Sequence, residues 1–417
     1  KTKRLPLAAA ILLAISTAQG VSADENGVII TDALTTITQT GSDNFAESSQ
    51  GAGSGKRAYS AAIIQQGARN QAGIDQIGDS GNITASVNQR GDENNALITQ
   101  NFNAINDADL TTAWVKQMGE SNEAEVTQTD SSGAFADVLQ EFDGNKATIS
   151  QIDSDFASAS IGQQGMDLTA NVSQENETAV SKVKIRQADS FNTAIASQDG
   201  GNRNEINILQ TNIGNIAETI QEDTTLTDLK VVQSGLDNEV ASYQYNIDDA
   251  SIDINQTGDL NTVYVMQQRG YGRDMGYSNL VAFITQSGSY NLSFTDQKGG
   301  NMVATTTQSG SHNYSQIDQF GDRQSAKVTQ SGFSTEANIF QYGWDNKATV
   351  AQSGEFNEGE IFQSPNWLKR NSSVSNVASI TQDGFGLVDA PNRAFIDQFG
   401  SNDMATIMQS GGSGNMA

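Results

Sequence analysis

Glutamine recurs every eleven residues between positions 286 and 363, and this period constrains the fold more than any other feature of the sequence. Glycine follows two residues after each glutamine that opens an interval, and asparagine follows several of them at the fifth position. A fixed short period of this kind is typical of a stacked repeat architecture. We interpret the recurring residues as a structural ladder with turn glycines: Gln286, Gln297, Gln308, Gln319, Gln330, Gln341, Gln352 and Gln363; Asn291, Asn313, Asn346 and Asn357; Gly288, Gly310, Gly321, Gly332, Gly343 and Gly354.

The composition indicates that polar side chains must contribute to the core. Hydrophobic residues make up only 36% of the 417 residues and charged residues 17%, while Gln, Asn, Ser and Thr supply much of the remainder. A chain of this kind either stays disordered or stacks its polar side chains in order, and the strict period favours stacking. There is no cysteine and a single histidine, His312, so we expect no disulfide, no metal site and no cofactor. The net charge of −26 argues against a nucleic-acid partner.

The first 23 residues have the pattern of a secretory signal peptide. Lys1, Lys3 and Arg4 precede an apolar run at 5–15, and small residues follow up to Ala23. That run is too short to cross a bilayer as a permanent helix, and no later run approaches the required length. We therefore expect a secreted protein without a transmembrane segment.

The remaining chain divides into an acidic, Thr-rich lead-in at 24–38 and a repeat region at 39–417. Before residue 286, the glutamines fall in pairs eleven residues apart, and the spacers between pairs vary from 12 to 19 residues. One connection therefore has a specified length, whereas the other accepts insertions as an exposed loop does. The repeating unit is usually 22 to 24 residues, and about fifteen units fit the chain.

Alternation within each unit predicts β-strands. Asn145, Ala147, Ile149 and Gln151 share one side of a strand, and the residues between them are Lys, Thr and Ser. We predict an all-β fold, a β-solenoid with two strands and two turns per coil, in which roughly fifteen coils stack about 4.8 Å apart in an amyloid-like cross-β arrangement. Stacked glutamines and asparagines satisfy one another as amide ladders, and the turn glycines supply positive φ angles.

We expect the stack to continue between molecules. The repeats begin at Gln39 and stop in mid-unit after Gln409 without a helical cap on either side. Unpaired strand edges at the two ends would pair with another copy, and such a head-to-tail contact propagates as a homopolymer fibre.

A monomeric secreted β-solenoid, serving as an adhesin or an ice-binding protein, is the main alternative. An ice-binding protein is expected to carry a regular column of outward threonines. Thr148, Thr349 and Thr406 share a step eight residues after their glutamines, but Phe294 and Gln316 stand at the same step in other units. This interruption favours the fibre.

The repeat unit Q-x-G-x-x-N-x-A-x-x-x-Q resembles the curlin repeat of curli fibre subunits. It stands here as QTGSDNFAESSQ (39–50), QEFDGNKATISQ (140–151), QADSFNTAIASQ (187–198) and QYGWDNKATVAQ (341–352). Asp189 replaces the glycine in one unit, and Leu168 and Gln324 replace the asparagine in others. The resemblance implies a subunit of an extracellular bacterial functional amyloid, a curli-like pilus of the biofilm matrix that promotes adhesion. It also implies a companion curlin subunit and an outer-membrane secretion pore as partners.

Nothing in the sequence indicates an enzyme. Carboxylates occur close together at Asp153 with Asp155 and at Asp248 with Asp249, but acidic loops produce such pairs by chance. The insertions at 267–286 and 363–382 are the best candidates for a partner-binding site, since they carry aromatic and basic residues, namely Arg273, Trp367, Lys369 and Arg370.

Overall fold

The computed structural model describes residues 27–31, 34–52, 58–78, 82–102, 110–177, 180–270, 279–364 and 375–417. The predicted signal peptide at 1–23 lies outside these ranges, as do Arg273, Trp367, Lys369 and Arg370 of the two insertions. Every regular element in the described ranges is a β-strand, which confirms the predicted all-β class.

Thirty-two strands follow one another along the chain, and we number them in that order. They are β1 (Gly27–Thr31), β2 (Leu34–Thr40), β3 (Phe45–Ala52), β4 (Ala58–Gln66), β5 (Gln71–Gly78), β6 (Asn82–Arg90), β7 (Asn95–Phe102), β8 (Thr111–Met118), β9 (Glu123–Thr129), β10 (Phe135–Glu141), β11 (Lys146–Ile152), β12 (Ser158–Met166), β13 (Thr169–Glu177), β14 (Lys182–Ser190), β15 (Thr193–Asn202), β16 (Glu205–Ile213), β17 (Ile216–Thr225), β18 (Asp228–Leu236), β19 (Glu239–Tyr245), β20 (Ala250–Asp259), β21 (Thr262–Arg269), β22 (Leu280–Ser289), β23 (Leu292–Gly300), β24 (Met302–Ser311), β25 (Tyr314–Asp322), β26 (Ser325–Phe333), β27 (Glu336–Trp344), β28 (Lys347–Glu355), β29 (Asn357–Ser364), β30 (Val377–Phe385), β31 (Asn392–Phe399) and β32 (Met404–Ser410).

The strands form two parallel sheets of sixteen, one from the odd-numbered strands and one from the even-numbered strands. We call them the odd sheet and the even sheet. Each coil contributes one strand to each sheet, and equivalent residues of successive coils lie side by side. Gln308 of β24 is in register with Gln330 of β26, for example, and Gly310 with Gly332. This arrangement is the predicted β-solenoid of about fifteen coils, and the lead-in contributes β1 and the start of β2 to it.

The core between the sheets is a thin layer of small and branched apolar side chains. On β28, Ala348, Val350 and Gln352 are buried, whereas Lys347 and Thr349 face outward. Corresponding residues of neighbouring strands repeat this pattern, so alanines form one column, isoleucines and valines a second, and glutamines a third. The predicted two-residue alternation is therefore present, because only alternate side chains can enter the space between the sheets.

The apolar core is interrupted within the segment whose sequence is the most regular. One apolar cluster ends at Ile284 and the next begins at Ala304. At this break, Thr295 of β23 and Thr306 of β24 occupy inward positions in the isoleucine and valine column, and both are almost fully buried. Neither Oγ1 atom has a hydrogen-bond partner within the described part of the chain. Regular spacing of glutamines therefore does not guarantee the best packing of the layer beside them.

Candidate functional site

The buried glutamines of successive coils are joined by hydrogen bonds. In the even sheet, Nε2 of Gln286 donates to Oε1 of Gln308 at 2.8 Å, and Gln308 donates in the same way to Gln330 at 2.9 Å. The other four glutamines of the 286–363 segment form an equivalent ladder in the odd sheet. There, Gln297 donates to Gln319 at 2.9 Å and Gln319 to Gln341 at 2.8 Å. The eight predicted ladder glutamines thus lie in two parallel ladders.

Each ladder extends through nearly the whole stack and always runs in the same direction. The even ladder begins at Gln39 and reaches Gln409, and the odd ladder connects Gln50 to Gln398. At every step the amide nitrogen of one coil donates to the amide oxygen of the next coil along the chain. The stack is therefore polar, with oxygen acceptors facing one way and N–H donors the other.

The glutamine amides also link the two sheets. The second N–H of Gln308, on the even sheet, donates to the backbone oxygen of Leu292 on the odd sheet at 3.1 Å. In the opposite direction, Gln297 donates to the backbone oxygen of Val281 at 3.1 Å. One side chain thus binds the next coil and the facing sheet, which satisfies an amide that would be costly to bury alone.

The predicted asparagines are divided between the two corners of the coil. At the corner that follows even strands, Nδ2 of Asn313 donates to Oδ1 of Asn291 at 2.9 Å. The column then passes through Thr335, whose Oγ1 donates to Asn313 at 2.7 Å, before Asn357 takes the corresponding place one coil later. Asn346 lies at the other corner, where it accepts from the backbone N–H of Asn376 at 3.3 Å. Thr335 keeps two hydrogen bonds to Oδ1 of Asn313, from its backbone N–H and from its hydroxyl, but it interrupts the continuous amide ladder.

The turn glycines are positioned by two separate constraints. Gly288, Gly310, Gly332 and Gly354 occupy the same turn in successive coils, and Gly321 and Gly343 occupy the other turn. All six have φ angles between 95° and 154°, a region that side chains rarely adopt. Five of them, all except Gly343, are also shown to lack room for a side chain; a Cβ atom on Gly310, for example, would lie 2.1 Å from the backbone oxygen of Gly332.

A second left-handed residue in the turns was not evident from the sequence. It lies immediately before the ladder asparagine and is usually not a glycine. Tyr290, His312 and Phe356 have φ angles of 57°, 59° and 51° at this position. The cost of roughly 1 to 2 kcal/mol for such a residue must be offset by the stacked coils. In the sequence, this left-handed residue is marked only by its position immediately before the ladder asparagine.

The outer faces of the two sheets differ in the second half of the stack. From β22 to β32, the three outward columns of the even sheet carry mostly Thr, Ser and Val, with Phe283, Ala351, Met404, Met408 and two lysines, Lys327 and Lys347. These described positions include no acidic residue. The matching columns of the odd sheet, from β21 to β31, carry aromatic residues, one base, Arg393, and six carboxylates: Asp296, Asp318, Glu336, Glu358, Glu360 and Asp397. The solenoid therefore presents two chemically distinct faces.

The threonines that share a sequence step do not share a column. Thr148 lies on β11 in the odd sheet, whereas Thr349 and Thr406 lie in the even sheet. Phe294 and Gln316 interrupt the odd column, and Lys327 interrupts the even one between Thr305 and Thr349. Residues at the same step of two repeat units can therefore lie on opposite outer faces of the solenoid.

No span suited to crossing a membrane as a helix was found in the described residues. The described residues also contain no group of three or more His, Asp or Glu side chains placed to hold a metal ion.

Comparison with known protein families identifies the repeat. The family model of the curlin associated repeat matches residues 303–332, a stretch from β24 to β26 within the segment of perfect eleven-residue spacing. A search with the whole chain among curated proteins gives no match. The repeat match agrees with the resemblance carried by the sequence motifs, and the stacked coils provide its structural context.

Proposed function

We propose that this chain is a structural subunit of a curli-like extracellular amyloid fibre and that its copies assemble end to end. The observation that carries the proposal is the pair of polar glutamine ladders, together with the curlin repeat at 303–332. Every coil presents the same donors and acceptors to its neighbour. A coil of a second copy can therefore take the place of the next coil in the chain.

The physical reason for assembly is that a single coil cannot bury its own inward residues. Its alanine, isoleucine and glutamine side chains face the other strand of the same coil, and they are fully covered only when further coils lie on each side. A contact between copies would repeat this arrangement with the same register and polarity. Such a contact uses two different surfaces, so it does not close on itself, and it generates a fibre rather than a ring.

The cellular part of the proposal rests on the resemblance to curlins and on the predicted signal peptide. We infer export of the protein, with a companion curlin subunit and an outer-membrane secretion pore as partners. The fibre would contribute to the biofilm matrix, to adhesion and to cell aggregation. This role is structural, and we assign no catalytic residue and no cofactor to it.

Fibre formation by the purified chain without residues 1–23 tests the proposal. We expect polymerisation without added seeds, and a meridional reflection at about 4.8 Å in fibre diffraction. A double variant, Gln308→Leu with Gln319→Leu, interrupts both ladders and should slow elongation. The outward control, Thr307→Leu with Asp318→Leu, should polymerise at a rate close to that of the parent chain. A stable monomer at high concentration would contradict the proposal.

A monomeric ice-binding protein is the second candidate, and one feature of the even sheet favours it. Thr285, Thr307 and Thr329 are consecutive in one outward column, and Thr381 follows after Ala351. Thermal hysteresis measured on the monomeric chain distinguishes the two functions. Thermal hysteresis that is present in the parent chain and disappears in Thr307→Lys would support ice binding. A chain that forms fibres and shows no thermal hysteresis would exclude it.

A further inference from the structure

A groove of roughly 410 Å³ lies on the outer face of the odd sheet, between β19 and β25. Four aromatic residues line it, Tyr243, Tyr264, Phe294 and Tyr314, together with the carboxylates of Asp296 and Asp318. The groove belongs to neither glutamine ladder and has no part in the proposed contact between copies. Its chemistry therefore requires a separate explanation.

The aromatic wall of the groove ends at a gap. The rings of Tyr264 and Phe294 stack with their centroids 5.0 Å apart and their planes inclined by 10°, and Tyr314 packs against Phe294 at 5.8 Å. On the other side of Tyr264, the residue in register is Ala241, which carries only a methyl group. A further ring could continue the stack above Ala241, where offset stacking of aromatic rings is favourable.

The polar side of the groove is anionic. Asp296 and Asp318 are adjacent in register on β23 and β25. Burial raises the pKa of both carboxyl groups, and repulsion from Asp318 raises the pKa of Asp296 further, although Lys298 partly opposes this. Gln316 donates to Oδ2 of Asp318 at 2.8 Å. These carboxylates would gain from a positive charge that also fills the aromatic part of the groove.

We propose that the groove binds an organic cation with an aromatic end, an arylalkyl ammonium ion. The ring would stack on Tyr264 above Ala241, and the ammonium group would lie near Asp296. These two places are two strand spacings apart along the rod, about 10 Å. A phenyl ring on a four-carbon amine spans this distance.

Three ligands of nearly equal shape test the charge requirement. They are 4-phenylbutylamine, its neutral counterpart 4-phenylbutan-1-ol and the anion 4-phenylbutyrate. Isothermal titration of the full chain should show binding of the amine at least tenfold tighter than of the alcohol, and no detectable binding of the carboxylate. Equal affinity for the amine and the alcohol would overturn the proposal.

Variants locate the site. Ala241→Tyr places a ring in the gap without removing a carboxylate, and it should weaken binding of the amine at least tenfold. Asp296→Asn combined with Asp318→Asn removes the charge without changing the shape, and we expect a similar loss. Asp397→Asn is the matched control, because Asp397 lies in the same column of the odd sheet but outside the groove.

The unfolding midpoint of each variant shows whether its fold is retained. A folded Ala241→Tyr variant that binds the amine like the parent would contradict the proposal, as would an Asp397→Asn variant that loses as much affinity as the double variant. The double variant alone decides the result if Ala241→Tyr does not fold.

Discussion

Nε2 of Gln256 donates to Oε1 of Gln286 at 2.9 Å, although the two residues are 30 positions apart in the chain. The usual separation between ladder neighbours is 22 or 23 residues, as between Gln286 and Gln308 or between Gln233 and Gln256. The extra residues lie between β21 and β22, and the register on both sides is unchanged. The stacking contacts, and not the length of this connection, therefore determine which coils become neighbours.

Deletion of residues 271–278 tests this relationship. The deletion reduces the spacing of Gln267 and Gln286 from 19 to eleven positions, the spacing found throughout 286–363. We expect the free energy of unfolding to change by less than about 1 kcal/mol, because loop closure depends only weakly on loop length. Deletion of Ser311 alone, at the end of β24 in the interval of specified length, should unfold the neighbouring coils, since it moves the side chains of β25 to the opposite face. Denaturant melts of both deletions provide the comparison.

The glutamine ladder can be probed at Gln308. Replacement by leucine retains the volume but leaves a donor on Gln286 and an acceptor on Gln330 without their partners. We expect a loss of about 3 kcal/mol in the free energy of unfolding, because buried polar groups without partners are costly. Thr307→Leu, at the adjacent outward position, should change stability by less than about 0.5 kcal/mol. Equal effects of the two substitutions in chemical denaturation would argue against the ladder as a source of stability.

Glycine is required at Gly310 by close backbone approach as well as by its φ angle of 97°. An added Cβ would lie 2.1 Å from the backbone oxygen of Gly332 on the next coil. Gly310→Ala should therefore destabilise the chain by at least about 3 kcal/mol and slow any stacking of coils. Gly162→Ala is a matched control, because its Cβ would meet no atom within 4 Å. Thermal unfolding followed by circular dichroism should show a large decrease in midpoint for the first variant only.

The polar interruption of the core predicts that two conservative substitutions will stabilise the protein. Thr295→Val and Thr306→Val each remove a buried hydroxyl without a partner in the described structure and retain the side-chain shape. Each should raise the free energy of unfolding by about 1 kcal/mol. Thr305→Val, on the outer face beside Thr306, should leave stability nearly unchanged. A loss of stability in both inward variants, measured by urea denaturation, would show that their hydroxyl groups are satisfied.

Acidification should stabilise the folded chain. Burial raises the pKa of several carboxyl groups, so the folded state binds protons more tightly than the unfolded state. The free energy of unfolding therefore increases as the pH falls from 7, through the raised pKa values, to the ordinary values near 4. The groups concerned are Asp137, Asp296, Asp318, Glu360 and Asp397.

One carboxyl group has the opposite effect at lower pH. A hydrogen bond from Arg323 lowers the pKa of Asp345. The ionised carboxylate therefore stabilises the folded state at pH values above the ordinary pKa of Asp. This stabilisation is lost as the pH falls through the lowered pKa. We expect maximal stability near pH 4. Urea midpoints at pH 7 and pH 4.5 should differ less in the variant that combines Asp296→Asn with Asp318→Asn. A lower midpoint at pH 4.5 in the parent chain would contradict the prediction.

The structure of a single coil can be read from the amino-acid sequence. The eleven-residue period of glutamines and the alternation around Ala348 and Val350 specify two strands, two turns and an inward face, because these features depend on residues within one unit. They also specify stacking, since one unit cannot bury its inward side chains alone. Close approach of the turns, as at Gly310, depends on the neighbouring coil and could not be inferred from a single unit.

The contacts between residues of different coils, in contrast, become evident only from the stacked fold. The assignment of Thr148 and Thr349 to opposite sheets, the pairing of Gln256 with Gln286, and the gap at Ala241 beside Tyr264 all follow from the stacking register. Column neighbours are usually 22 to 30 residues apart and are separated by connections of variable length. Local sequence patterns carry no information across such connections, and the contacts between coils select the register.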